Sequence, residues 1–115
     1  MDIVEISGVI KEYGWGNTSF IADFLALERD GTRRAELWWG THPDGESSVV
    51  ESGEALGPFL ASDGVHWYGA DHLAVYGANL PLLLKILAID KPLSLQVHPT
   101  KEQAEAGWKR GMAVR

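Results

Sequence analysis

Leu82-Leu83-Leu84-Lys85-Ile86-Leu87-Ala88-Ile89, then Asp90-Lys91-Pro92, then Leu93-Ser94-Leu95-Gln96-Val97-His98-Pro99 is the stretch on which the fold turns. Residues 82–89 are a continuous apolar run with a single lysine, a length that fits a buried strand better than a helix. Asp90-Lys91-Pro92 is a turn signal, and residues 93–97 read as a second strand, so the two are predicted to pair as a hairpin. Side chains alternate along a strand. Ser94, Gln96 and His98 therefore leave one face, and Leu95 and Val97 the other. A row of three polar groups directly after an apolar strand must look onto solvent or into a polar pocket.

Upstream of that hairpin, residues 3–10 read as a strand. Tyr13-Gly14-Trp15-Gly16-Asn17 is a glycine-punctuated turn that presents two aromatics. Asn17 or Thr18 is placed to cap a helix over residues 20–27, with Ile21, Phe24 and Leu25 on one face. Arg29-Asp30-Gly31 is a turn. Residues 35–41 read as a strand with Glu36, Trp38 and Gly40 on one side and Leu37, Trp39 and Thr41 on the other. His42-Pro43-Asp44-Gly45 is a turn, and residues 47–50 a short strand. Residues 53–78 read as irregular, with one short helix near 58–61. Downstream, Thr100 and Gln103 have the spacing of a capping box. A helix is predicted from there to about residue 109, with Ala104 and Trp108 on one face. No repeat or linker interrupts the 115 residues, so one domain is expected, mainly β with short helices.

Composition narrows the chemistry. About 45% of residues are hydrophobic and 23% charged, which marks a globular chain. Five Trp is a high number for this length, and so many large rings are expected to fill a core or line a pocket. The formal net charge of −6 gives no general attraction to nucleic acid or to anionic membranes. A negatively charged ligand would need a few placed cations. With no Cys, neither a disulfide nor a cysteine zinc site can form, and a metal would rely on His, Asp, Glu or amide oxygens. No signal-peptide pattern opens the chain, and residues 80–89 are too short to span a bilayer, so a cytoplasmic location is expected.

Several side chains carry two readings. Gln96 and His98 can both reach one metal, since zinc accepts an amide oxygen and an imidazole nitrogen; equally, they can be a hydrogen-bonded polar strand face. Lys85 is either an edge-strand lysine reaching water or a cation aimed into a pocket. Glu36, beside two Trp, is either the structural partner of Arg33 or Arg34 or a pocket carboxylate. His42, His66 and His72 lack any partner spacing for a metal and read as surface or hydrogen-bonded histidines. Phosphate-loop and dinucleotide glycine motifs are absent.

Four blocks in order resemble type I phosphomannose isomerases. These are Tyr13-Gly14-Trp15-Gly16; Ala35-Glu36-Leu37-Trp38-Trp39-Gly40-Thr41-His42-Pro43; Leu80-Pro81-Leu82-Leu83-Leu84-Lys85-Ile86-Leu87; and Pro92-Leu93-Ser94-Leu95-Gln96-Val97-His98-Pro99. The resemblance implies a partial cupin-like jelly-roll barrel, with residues 1–115 as the N-terminal part of a cupin-type catalytic domain. It implies Zn²⁺ as cofactor, held by Gln96 and His98, and a phosphorylated hexose as substrate. It places Trp15, Glu36, Lys85 and Ser94 at the substrate. The activity implied is interconversion of mannose 6-phosphate and fructose 6-phosphate. The family's further zinc ligands, a Glu and a second His, have no counterpart segment here, so the chain is expected to be truncated and inactive alone. No residue is assigned as the catalytic base. The alternative is a non-catalytic cupin-like fragment that binds or self-associates through open strand edges.

Overall fold

The computed structural model describes residues 2–92 and 100–114. The strand predicted over residues 3–10 is two strands, β1 (Ile6–Ser7) and β2 (Val9–Lys11), divided at Gly8. A Cβ at Gly8 would lie 2.9 Å from Leu37 Cδ1, Trp38 O and Trp39 Nε1, so only glycine lets the backbone pass this close. β2 pairs antiparallel with β3 (Glu36–Trp39), setting Val9 opposite Trp38 and Lys11 opposite Glu36. β3 pairs on its other side with β5 (Leu84–Leu87), setting Trp38 opposite Lys85. β1 pairs with β4 (Ser48–Val49), which gives a second, two-stranded sheet.

One face of the three-stranded sheet builds the first core. Ile21, Leu37 and Ala88 are buried together, with Ile10, Trp39 and Ile86 packed around them. Ile21 comes from α1 (Phe20–Phe24). The N-cap is Ser19 and not Asn17 or Thr18 as expected, but Asn17 Oδ1 accepts from Ser19 N at 2.7 Å and Phe20 N at 2.9 Å at the helix start. The helix ends short of residue 27. Ala26 takes a left-handed φ of 56°, Ala26 N donates to Asp23 O at 3.1 Å, and Leu27 N reaches back to Ala22 O at 2.7 Å. That pair of bonds is a Schellman closure, here with alanine in the position glycine usually fills. Arg29 donates to Asp23 just beyond it, and this hydrogen bond holds the Asp23 carboxyl below its ordinary value of 3.8.

The second core lies between β4 and α2 (Leu56–Ser62), where Val49, Leu56 and Leu60 are buried among Val4, Ile6, Phe59, Trp67, Tyr68 and Leu80. Residues 53–78 are not irregular: α2 is followed by α3 (Gly64–Tyr68) and α4 (Ala70–Tyr76). Gly69 (φ 84°) separates α3 from α4 and Gly77 (φ 69°) closes α4. Runs of under two turns are too brief to show a repeating helical pattern. The expected mainly β class is therefore corrected to small sheets mixed with short helices, and no closed barrel forms among the described residues.

The buried strand expected over residues 82–89 is also corrected. β5 is an edge strand among the described residues, with Leu84 62% and Leu87 43% exposed. Its predicted hairpin partner, residues 93–97, lies outside the described residues. α5 (Lys101–Val114) begins at the predicted capping box: Thr100 N donates to Gln103 Oε1 at 2.9 Å and Gln103 N to Thr100 Oγ1 at 3.2 Å. It runs past residue 109, and Trp108 on it is exposed. No helix among the described residues is long and apolar enough to cross a membrane.

Candidate functional site

Strand alternation sends Leu37 and Trp39 into the core, so Glu36 and Trp38 leave β3 on the opposite face. The register brings Lys11 from one neighbouring strand and Lys85 from the other onto that face. Glu36 is buried, at 6% exposure. A carboxylate this deep requires partners. Its Oε2 accepts from Trp38 Nε1 at 3.0 Å, and its Oε1 lies 3.8 Å from Lys85 Nζ. The arginines considered as its partners are engaged elsewhere: Arg33 pairs with Asp90 at 3.0 Å and Arg34 with Asp30 at 3.4 Å.

Lys85 lies on a strand that is at the sheet edge among the described residues; its side chain is 42% exposed, and its Nζ lies 5.5 Å from the Trp38 ring centroid. At 3.8 Å from Glu36 it makes an ion contact too long for a hydrogen bond. A contact of this kind on a partly solvated side chain stabilises a fold by only about 0–1 kcal/mol.

Lys11 belongs to the same group and escaped the sequence reading. Its Nζ lies 4.6 Å from the Trp38 ring centroid and donates to Asp44 O, which ties the turn at residues 42–45 to the sheet. The signal was its even spacing from Val9, visible only if the first strand is read on to residue 11. His42 closes the group, its ring edge-on to Trp38 at 5.4 Å and its Nδ1 accepting from Asp44 N at 3.1 Å. The three histidines are hydrogen-bonded or ion-paired: His66 Nε2 lies 3.1 Å from Asp2 Oδ2, and His72 Nε2 2.8 Å from Asn79 O.

Trp15 lies past the C-terminal end of β5, beside Gly16, which packs on Ala35. It lies in the turn closed by Gly16 N on Tyr13 O at 3.0 Å, its carbonyl accepts from Asp90 N at 2.9 Å, and its ring meets Tyr13 at 5.8 Å. Ser94, Gln96 and His98 lie outside the described residues. Among the described residues no group of three or more His, Asp or Glu side chains is arranged to hold a metal ion.

A buried carboxylate, an indole and two ammonium groups are thus gathered on one sheet face. The sequence model of the family "Phosphomannose isomerase type I, catalytic domain" matches residues 3–112, and the chain belongs to that family. It is 38% identical to mannose-6-phosphate isomerase of Schizosaccharomyces pombe, over 80% of this chain and 24% of that protein. It is 32% identical to mannose-6-phosphate isomerase of Macaca fascicularis, over 90% of this chain and 27% of that protein. The solved structure of mannose 6-phosphate isomerase from Salmonella typhimurium bound to fructose 6-phosphate and zinc superposes with a TM-score of 0.73 at 28% identity, covering 95% of this chain and 28% of that one. The chain thus spans about a quarter of the length of the curated relatives it matches.

Proposed function

We propose that the chain is the N-terminal part of a cupin-type catalytic domain. That domain is a cytoplasmic, zinc-dependent aldose–ketose isomerase interconverting mannose 6-phosphate and fructose 6-phosphate. The observation that carries this reading is the meeting of Glu36 and Lys85 at 3.8 Å. The family resemblance assigns both to the substrate, and nothing in their distant sequence positions requires them to be neighbours. The zinc and fructose 6-phosphate held by the Salmonella relative support the same cofactor and substrate class here. The acidic balance of the chain argues against nucleic acid or membrane as a partner.

Gln96 and His98 are the donors that would hold the metal, an amide oxygen and an imidazole nitrogen, both suited to zinc. When bound, zinc supplies Lewis-acid polarisation of the sugar's carbonyl and hydroxyl oxygens. The protein's own groups do the positioning. Lys85 donates hydrogen bonds and Glu36 accepts them, a pairing that suits sugar hydroxyls. Ser94 offers a hydroxyl, and Trp15 an apolar flank for the sugar ring. The proton transfer between C1 and C2 requires a base that none of these residues is assigned to supply.

Two donors do not complete a catalytic zinc site. Residues 1–115 alone are therefore expected to bind zinc weakly and to show no turnover. In the complete domain, Gln96→Ala and His98→Ala are expected to abolish zinc-dependent conversion of mannose 6-phosphate. Lys85→Ala should raise KM and lower kcat/KM about tenfold or more, the scale of a lost charge-assisted hydrogen bond. Unchanged turnover in Gln96→Ala and His98→Ala would remove the zinc assignment. A second reading, association of the chain with its own copies, draws support from the exposure of Leu82, Leu84 and Ile89 along and beside the β5 edge.

A further inference from the structure

We propose that Trp38 is a positioning residue that keeps Glu36 and Lys85 side by side as an open pair instead of a closed ion pair. The inference rests on the reading of Glu36 and Lys85 as substrate-binding groups. Trp38, two residues along β3 from Glu36 and opposite Lys85 in the register, acts on both. Its indole N–H donates to Glu36 Oε2 at 3.0 Å, which fixes the plane of a buried carboxylate. Its ring attracts the Lys85 ammonium, whose Nζ lies 5.5 Å from the centroid. Lys85 is directly opposite Trp38 in the strand register, whereas Glu36 is opposite Leu87, so the ammonium reaches Glu36 only diagonally. The result is the 3.8 Å gap.

A gap of this size has a chemical use. A closed ion pair would spend the ammonium donors and the carboxylate lone pairs on each other. Here Oε1 and Nζ stay within reach of one guest atom, and a hydroxyl can donate to the first while accepting from the second. Because the carboxylate offsets the ammonium charge, the pair suits a neutral sugar hydroxyl better than a phosphate. Trp38 is itself held. Lys11 lies 4.6 Å from its centroid, and the His42 ring meets it edge-on at 5.4 Å. Gly45 comes so near that a Cβ there would be 3.0 Å from Trp38 Cε3.

Two measurements test the proposal. In the 115-residue chain, ¹H–¹⁵N spectra resolve the indole N–H groups of the five Trp. Glu36→Gln replaces a charged acceptor with a neutral one and is expected to move the Trp38 indole proton upfield more than any other; a stationary signal overturns the proposal without reference to activity. In the complete domain, Trp38→Phe keeps a ring and removes the donor. Trp38→Phe and Glu36→Gln are each expected to lower kcat/KM about tenfold. The double variant should be no worse than either single one, because both remove the same function. Losses that multiply would assign Trp38 a role independent of Glu36 and overturn the proposal. An impaired Glu36→Gln beside a fully active Trp38→Phe defeats the proposal alone. A fully active Glu36→Gln defeats the substrate-site reading and the proposal together.

Discussion

Ala26 holds a left-handed φ of 56° at the close of α1, where the absence of a Cβ would relieve strain. Glycine there gives up some stability through the greater freedom of its unfolded chain, yet gains more in the folded cap. Ala26→Gly is expected to raise stability by about 0.5–1 kcal/mol, read as a higher urea midpoint with an unchanged slope. The candidate site was partly legible at this scale. Period-two alternation alone put Glu36 and Trp38 together on the side away from Leu37. Which partner neutralises Glu36 was not legible, because Arg33 and Arg34 are nearer in sequence than Lys85. Only the strand register, a long-range fact, decides it.

Elements with strong local chemistry were readable. The capping box at Thr100 and Gln103 forms both of its hydrogen bonds, and the Asn17 side chain accepts from the first backbone N–H of α1 although the cap itself is Ser19. α3 and α4 were missed because each is shorter than two turns and bounded by glycine. α3 is held by Trp67 and Tyr68, which pack against the second core, and not by intrinsic propensity. The apolar run at residues 82–89 was rightly read as strand and wrongly as buried, since burial depends on neighbours that periodicity cannot count. The turn preceding α1 carries its own test. At Gly16 a Cβ would stand 2.6 Å from both Cα and N of Ala35. Backbone cannot yield as a flexible side chain does. Gly16→Ala is expected to destabilise the fold by about 1–3 kcal/mol, measured by thermal or urea unfolding; an unchanged midpoint would contradict the close approach.

Across the whole molecule the chain measures 53 × 44 × 18 Å, with a radius of gyration of 18.3 Å. A compact domain of this length would have a radius near 13 Å. A body so thin leaves large apolar side chains in water, among them Phe20, Phe24, Leu82, Leu84 and Ile89. The isolated 115-residue chain is therefore expected to elute from size-exclusion columns at sizes that grow with loading concentration; a monomer at every concentration would remove the self-association reading. One of the links between the two cores is a single residue. β1 belongs to one sheet and β2 to the other, and Gly8 is the single residue between them. A side chain at that junction would wedge against three consecutive residues of β3 and loosen both halves together. Only a residue without a Cβ fits that junction, so its constraint comes from the packing of one strand across another.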